Sequence, residues 1–190
     1  MSRLDPIPLE DLSDDILLMV EKGEAMMGFT PNDALIMARN PAVMKAVSDL
    51  VAAVYAPSKI EAGLKRLIGH INSTAAGCIY CQVHTAHGAH NQGVDDAKIK
   101  AVWEYETSDL FTDRERAALR VAQGAGQTPN MVTDIEFADL KTYFDDNEIV
   151  EIVSVIAMFG FLNRWNATLA TELESTPLNF AKQTGLKIDV

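Results

Sequence analysis

Gly77-Cys78-Ile79-Tyr80-Cys81-Gln82-Val83-His84 follows a stretch in which Ile60, Leu64, Leu67, Ile68 and Ile71 recur at helical spacing. One apolar stripe of period 3.6 marks a helix packed on a core. Gly77 then ends that helix and Cys78 opens the next. The two thiols stand at i and i+3, one turn apart, a separation that closes into a disulfide with little backbone movement. A helix start presents unpaired amides and positive dipole, which favour thiolate over thiol. His84 lies three residues past Cys81, about 60° round the same helix. Its imidazole is a candidate proton carrier.

Working outward, the rest of the chain also reads as helices, near 11–27, 31–39, 42–55, 59–75, 79–92, 96–104, 113–123, 134–144 and 147–172. Thr30-Pro31 and Asn40-Pro41 each set an N-cap before a proline at the first helical position. Ser58-x-x-Glu61, Thr112-x-x-Glu115 and Thr133-x-x-Glu136 read as capping boxes. Gly28, Gly77 and Gly93 punctuate helix ends. Ile149–Leu162 is apolar almost all round and is expected to be centrally buried. Residues after Pro177 read as a tail with one helical turn around Phe180. Strand alternation is missing, so the expected class is all-α. The expected organisation is one helical domain over 1–190. Within it, 1–56 are N-terminal helices, 58–172 a redox core and 173–190 a tail.

Composition narrows the function. The chain has 190 residues, 48% of them apolar, enough for a sizeable core. It holds 16 Lys+Arg against 27 Asp+Glu, a net charge of −11. The apolar content excludes a disordered chain, and the acidic balance argues against nucleic acid and anionic membrane surfaces as partners. Cys78 and Cys81 are the only cysteines, so this is no secreted disulfide scaffold. Met1-Ser2-Arg3-Leu4-Asp5-Pro6 opens no secretory leader, and Ile149–Leu162 is too short and too interrupted to span a bilayer. The expected location is the cytoplasm.

The residues leave three readings of the cysteine pair open: a redox dithiol, two inert small hydrophobes, or half of a structural zinc site completed by His84, His87 or His90. Successive histidines at 84, 87 and 90 drift about 60° each round the helix, so they do not converge with both thiols. A thioredoxin-like site is disfavoured because no strand precedes Gly77. His70, Arg66 and Ser73 form a polar stripe expected to face solvent. Glu61 is read as a capping carboxylate, and Trp103–Ser108 as an aromatic anchor and a helix end. Asn163-Arg164-Trp165-Asn166 is read as an internal hydrogen-bond network, with pocket lining second.

The ordered set Gly77-Cys78-x-Tyr80-Cys81-x-x-His84, Gly93-Val94-Asp95, Trp103–Ser108, Phe111-Thr112-Asp113-x-Glu115-Arg116-Ala117-Ala118-Leu119 and Phe161–Asn166 resembles the carboxymuconolactone decarboxylase superfamily. Within it, the alkyl hydroperoxidase D-like branch is the nearer match. The resemblance covers about residues 58–172. It implies an all-helical homo-oligomer, a trimer or a hexamer, and an antioxidant, peroxiredoxin-type reduction of hydroperoxides. The CxxC pair would cycle through an internal disulfide and be recharged by a dithiol reductant, with no cofactor and no metal. Carried over, Cys81 attacks, Cys78 resolves and His84 belongs to the proton relay. Two positions depart from the pattern. The family's histidine lies four residues after the second cysteine, where this chain has Thr85. The relay glutamate lies twelve residues before the first, where it has Arg66. A guanidinium does not act as a base, and Glu104 or Glu106 are the candidate replacements.

Overall fold

The computed structural model describes residues 2–186, and among these no strand occurs. Ten α-helices follow in order: α1 Asp14–Met27, α2 Asn32–Met37, α3 Pro41–Val54, α4 Ala62–Ala75, α5 Ile79–Asn91, α6 Asp96–Lys100, α7 Asp113–Ala125, α8 Asp134–Tyr143, α9 Asp146–Leu169 and α10 Ser175–Thr184. The all-α expectation holds. Short 3₁₀ turns at Leu9–Asp11 and Val102–Glu104 complete the described elements; the second splits the expected 96–104 helix.

The helix starts show which sequence signals were strong enough to act. Thr112 and Thr133 form their capping boxes with Glu115 and Glu136. Asn40 accepts from the Val43 amide with Pro41 behind it. Two expected caps do not form. The Thr30 hydroxyl turns away to Glu24 at 2.7 Å, leaving Pro31 at the cap position of α2. Ser58 bonds only the backbone of Ile60, and Glu61 is the cap residue of α4, its carboxylate on Arg114 at 2.8 Å. Asp145 supplies a further capping box with Glu148 at the start of α9.

Helix α4 is the pillar of the fold, packed against α5, α7 and α9. Its apolar stripe is buried as expected, but so is its polar one: His70 and Ser73 are buried and Arg66 half-buried. The solvated-face reading of that stripe is therefore corrected. Helices α5 and α7 close over both sides of α4, leaving no free face there. Gly69 lets α9 approach closely; a methyl at that position would lie 2.4 Å from the Phe159 ring. Asn163 on α9 donates to Asn72 on α4 at 3.1 Å, and Asn72 donates to the Ala122 carbonyl of α7 at 3.0 Å. The three helices thus share one buried polar chain.

A smaller cluster of Ile16, Val20, Leu35, Met37, Ala38 and Met44 ties α1–α3 together, with Trp165 packed against it. The buried Lys65 ammonium donates to the Val54 and Ala56 carbonyls at 2.8 and 3.2 Å. It thereby satisfies the C-terminal end of α3, where cationic charge is favoured.

Two further expectations are revised. Helix α9 buries Ile149, Ile152, Val155, Ile156 and Phe159, but its outer face carries Val150, Val153 and Phe161 in the open. Beside that face lies an apolar groove of about 1020 Å³. The tail beyond Pro177 is no single turn. Helix α10 runs three turns because Ala181 buries and Phe180 lies on the His87 and His90 rings. Pro177 sits in its first turn, where a missing amide costs nothing.

Candidate functional site

Helix α5 begins where Gly77, at φ 70°, turns the chain out of α4. Cys78 is the cap residue of α5 and Cys81 sits one turn in. Both thiols are free and almost wholly buried, 2% and 3% exposed. They influence each other's titration. The Cys81 thiol, then the backbone amides of Cys81 and Tyr80, draw the Cys78 thiol below its ordinary pKa against the opposing effect of burial. Burial first, and the neighbouring Cys78 second, push Cys81 well above the ordinary value. Of the pair, Cys78, at the positive end of the helix, gives up its proton the more readily.

Two other parts of the chain reach these sulfurs. Asn166 of α9 points its side-chain amide at Cys81 Sγ, 3.5 Å away, and at Asp33 Oδ2, 3.2 Å away. Asp33, in the first turn of α2, is held above the usual carboxylate range by burial, which outweighs the lowering influence of His84 and Asn166. A carboxyl so placed keeps its proton more readily than one in water. The network reading of Asn163–Asn166 is thus right for both asparagines. Trp165, between them, faces the apolar groove.

His84 does not turn toward the thiols for its partner. Its Nε2 pairs with Glu174 Oε2 at 2.6 Å, and its ring stacks on Tyr80 with centroids 4.0 Å apart. Glu174, just before α10, also accepts from the Tyr80 hydroxyl at 2.8 Å and the Asn32 amide at 2.6 Å. Burial pushes the Glu174 carboxyl up, but the hydrogen bonds from His84, Asn32 and Tyr80 prevail and it lies below the ordinary range. The Tyr80 hydroxyl in turn accepts from the Asp33 amide at 3.3 Å. Asp33, Tyr80, His84 and Glu174 therefore form one connected polar group against the dithiol.

Cys78, Cys81 and His84 are brought into one region, as the sequence suggested. Glu104 and Glu106 are not. Glu104 is exposed on the 3₁₀ turn, and Glu106 is bound to Arg120 at 2.7 Å. Arg66 holds its guanidinium 3.8 Å over the Tyr55 ring. The carboxyl groups that do reach the site, Asp33 and Glu174, come from stretches read as a helix start and a tail. Asp33 offered only its place in Thr30-Pro31-Asn32-Asp33, and Glu174 gave no signal. Among the described residues no group of three or more His, Cys, Asp or Glu side chains could hold a metal ion, and none of the helices is long and apolar enough to cross a membrane.

Comparison with known proteins agrees with the fold. Residues 41–124 match the carboxymuconolactone decarboxylase family. The chain is 33% identical to the debrominase Bmp8, covering 95% of this chain and 96% of that one. The TM-score is 0.89 to a cysteine-to-alanine variant solved in complex with 2,3,4-tribromopyrrole. An uncharacterized peroxidase-related protein from Ralstonia eutropha JMP134, with an alkylhydroperoxidase AhpD core, shares the fold at 24% identity. Its TM-score is 0.83, over 93% of this chain and 94% of that one. The uncharacterized protein YnjA of Escherichia coli (strain K12) is 31% identical over 93 residues; the match spans 48% of this chain and half the length of that relative. The chain belongs to the carboxymuconolactone decarboxylase family, and it shares its fold with the alkylhydroperoxidase AhpD core.

Proposed function

We propose that the protein is a dithiol-dependent reductase that reduces hydroperoxides through Cys78 and Cys81. The observation that carries this is the pair itself. Two free, buried thiols stand one turn apart at a helix start, with a protonation-prone carboxyl, Asp33, and the Asn166 amide beside them. That is a nucleophile, its resolving partner and a proton source in one place.

In this reading Cys81 attacks and Cys78 resolves. The Cys78 thiol, the readier of the two to ionise, first loses its proton; the Cys78 thiolate then takes the Cys81 proton, and the Asn166 amide holds the emerging Cys81 thiolate. The Cys81 sulfur bonds the terminal peroxide oxygen as the O–O bond breaks, and the departing alkoxide takes a proton from Asp33. The Cys78 sulfur then displaces water from the Cys81 sulfenic acid, forming the disulfide. A dithiol reductant returns both thiols. His84, Tyr80 and Glu174 resupply the proton.

The test is peroxide consumption with a dithiol reductant, together with the mass of the protein after one equivalent of peroxide. Loss of two hydrogens, reversed by dithiol, is expected. Cys78→Ser should still form a sulfenic acid and Cys81→Ser should not. A Cys81→Ser protein that reacts stoichiometrically while Cys78→Ser does not would reverse the two roles and credit the helix end.

A second reading has its own observation, the near full-length similarity to the debrominase Bmp8. The same dithiol supplies the two electrons that reductive debromination requires. The attacking sulfur would take bromine from a brominated ring, the ring carbon a proton, and the second thiol would release bromide as the disulfide closes. Bromide release from a bromopyrrole, measured beside peroxide consumption, separates the two.

A further inference from the structure

Arg66, His84, His87, Asn91 and Gln92 line a cleft of about 20 Å³, closed by Met26, Met27 and Phe29. That is room for one water-sized group or little more. Every charged or polar side chain on this wall can donate a hydrogen bond, and none is a carboxylate. In a chain of net charge −11, that selection is not the default.

Arg66 is the centre of it. Among the described residues its guanidinium has no ion pair; it is held instead over the Tyr55 ring at 3.8 Å. Gly88 gives it space: a methyl there would stand 3.1 Å from Arg66 Cδ, Nε and Nη1. The helix face that would otherwise carry a side chain is left bare beneath a cation. His84 spends Nε2 on Glu174, which stands outside the cleft wall. With its carbon faced by a ring and no carboxylate beside it, the guanidinium keeps N–H donors for another partner. Its planar fork is shaped for an anion's oxygens.

We infer that this cleft is a small-anion site, made by Arg66 with His87, that takes either a free monovalent anion such as halide or the carboxylate of an organic substrate. It shares His84 with the redox group, so its occupant sits against the relay. Anion binding itself does not depend on the proposed reduction; its use to hold a substrate carboxylate rests on that reading.

The probes are sodium bromide and sodium acetate, titrated against the reduced protein at constant ionic strength in sodium HEPES, whose sulfonate is too bulky for the cleft. The readout is the His84 and His87 ring resonances. Saturable shifts are expected, with affinity about tenfold weaker in Arg66→Gln and partly kept in Arg66→Lys. No saturation with either anion, or equal affinity in Arg66→Gln, would overturn the site. Should Arg66→Gln fail to fold, His87→Gln is read by the same criterion. The source is settled by the rate of disulfide formation with a carboxylate-bearing hydroperoxide and with its methyl ester. A preference for the acid that vanishes in Arg66→Gln assigns the site to substrate; no preference alongside bromide binding assigns it to free anion. Saturable binding with no disulfide formation by any hydroperoxide would remove the proposed peroxide reduction and leave the anion site standing.

Discussion

Lowering the pH should unlock the α4–α5 contact through His70. This imidazole is buried, with Nδ1 3.3 Å from the Thr85 hydroxyl, and burial lowers its pKa from 6.5 to about 4 against the opposing influence of the Gln82 backbone. The folded state therefore holds His70 neutral while the unfolded chain protonates it near 6.5. Between those values the unfolded state binds the extra proton, so stability rises with pH there and is lost as pH falls toward 4. A displacement of that size corresponds to about 3 kcal/mol, accumulating over the whole window. Carboxylates titrate nearby, so the difference between wild type and His70→Gln is what matters. Urea melts at pH 7, 6, 5 and 4 should show the variant less stable at pH 7, with the gap narrowing by about 3 kcal/mol by pH 4. A parallel pH dependence in the two proteins, or a His70 resonance titrating near 6.5, would refute the reasoning.

Asp33→Asn should stabilise the protein at neutral pH and leave it unchanged near pH 3, because a carboxyl raised by burial opposes folding once ionised; peroxide-driven disulfide formation should slow, as read by stopped-flow. Glu174→Gln should loosen α10, with faster hydrogen exchange over 175–184. Because the native carboxyl is lowered, its contribution is present above the ordinary carboxylate pKa and lost as pH falls through the folded value, so the difference from wild type should vanish in acid. Gly69→Ala should cost about 1–3 kcal/mol in a denaturant melt, since the new methyl meets the Phe159 ring inside a packed core. The open face of α9 supports the expected homo-oligomer: Val153→Glu should lower the sedimenting mass at micromolar concentration, and a monomeric wild type would remove the expectation.

Local chemistry was legible in the chain because its causes are local. The Thr112 and Thr133 boxes, Asn40-Pro41 and the glycine stops each act within four residues, and the helices fall close to where these signals place them. The Cys78–Cys81 spacing likewise fixed a dithiol at a helix start. Burial was not legible where it depends on what lies opposite. His70 looks solvated along α4, but α5 covers it. The outer face of α9 looks buried by composition, yet none of the described elements covers Val150 and Val153. The proton-carrying groups were hidden for the same reason. Asp33 meets Asn166 across 133 positions of chain and His84 meets Glu174 across 90. Their partnership is a product of how α2, α5, α9 and α10 converge, and no local spacing encodes it.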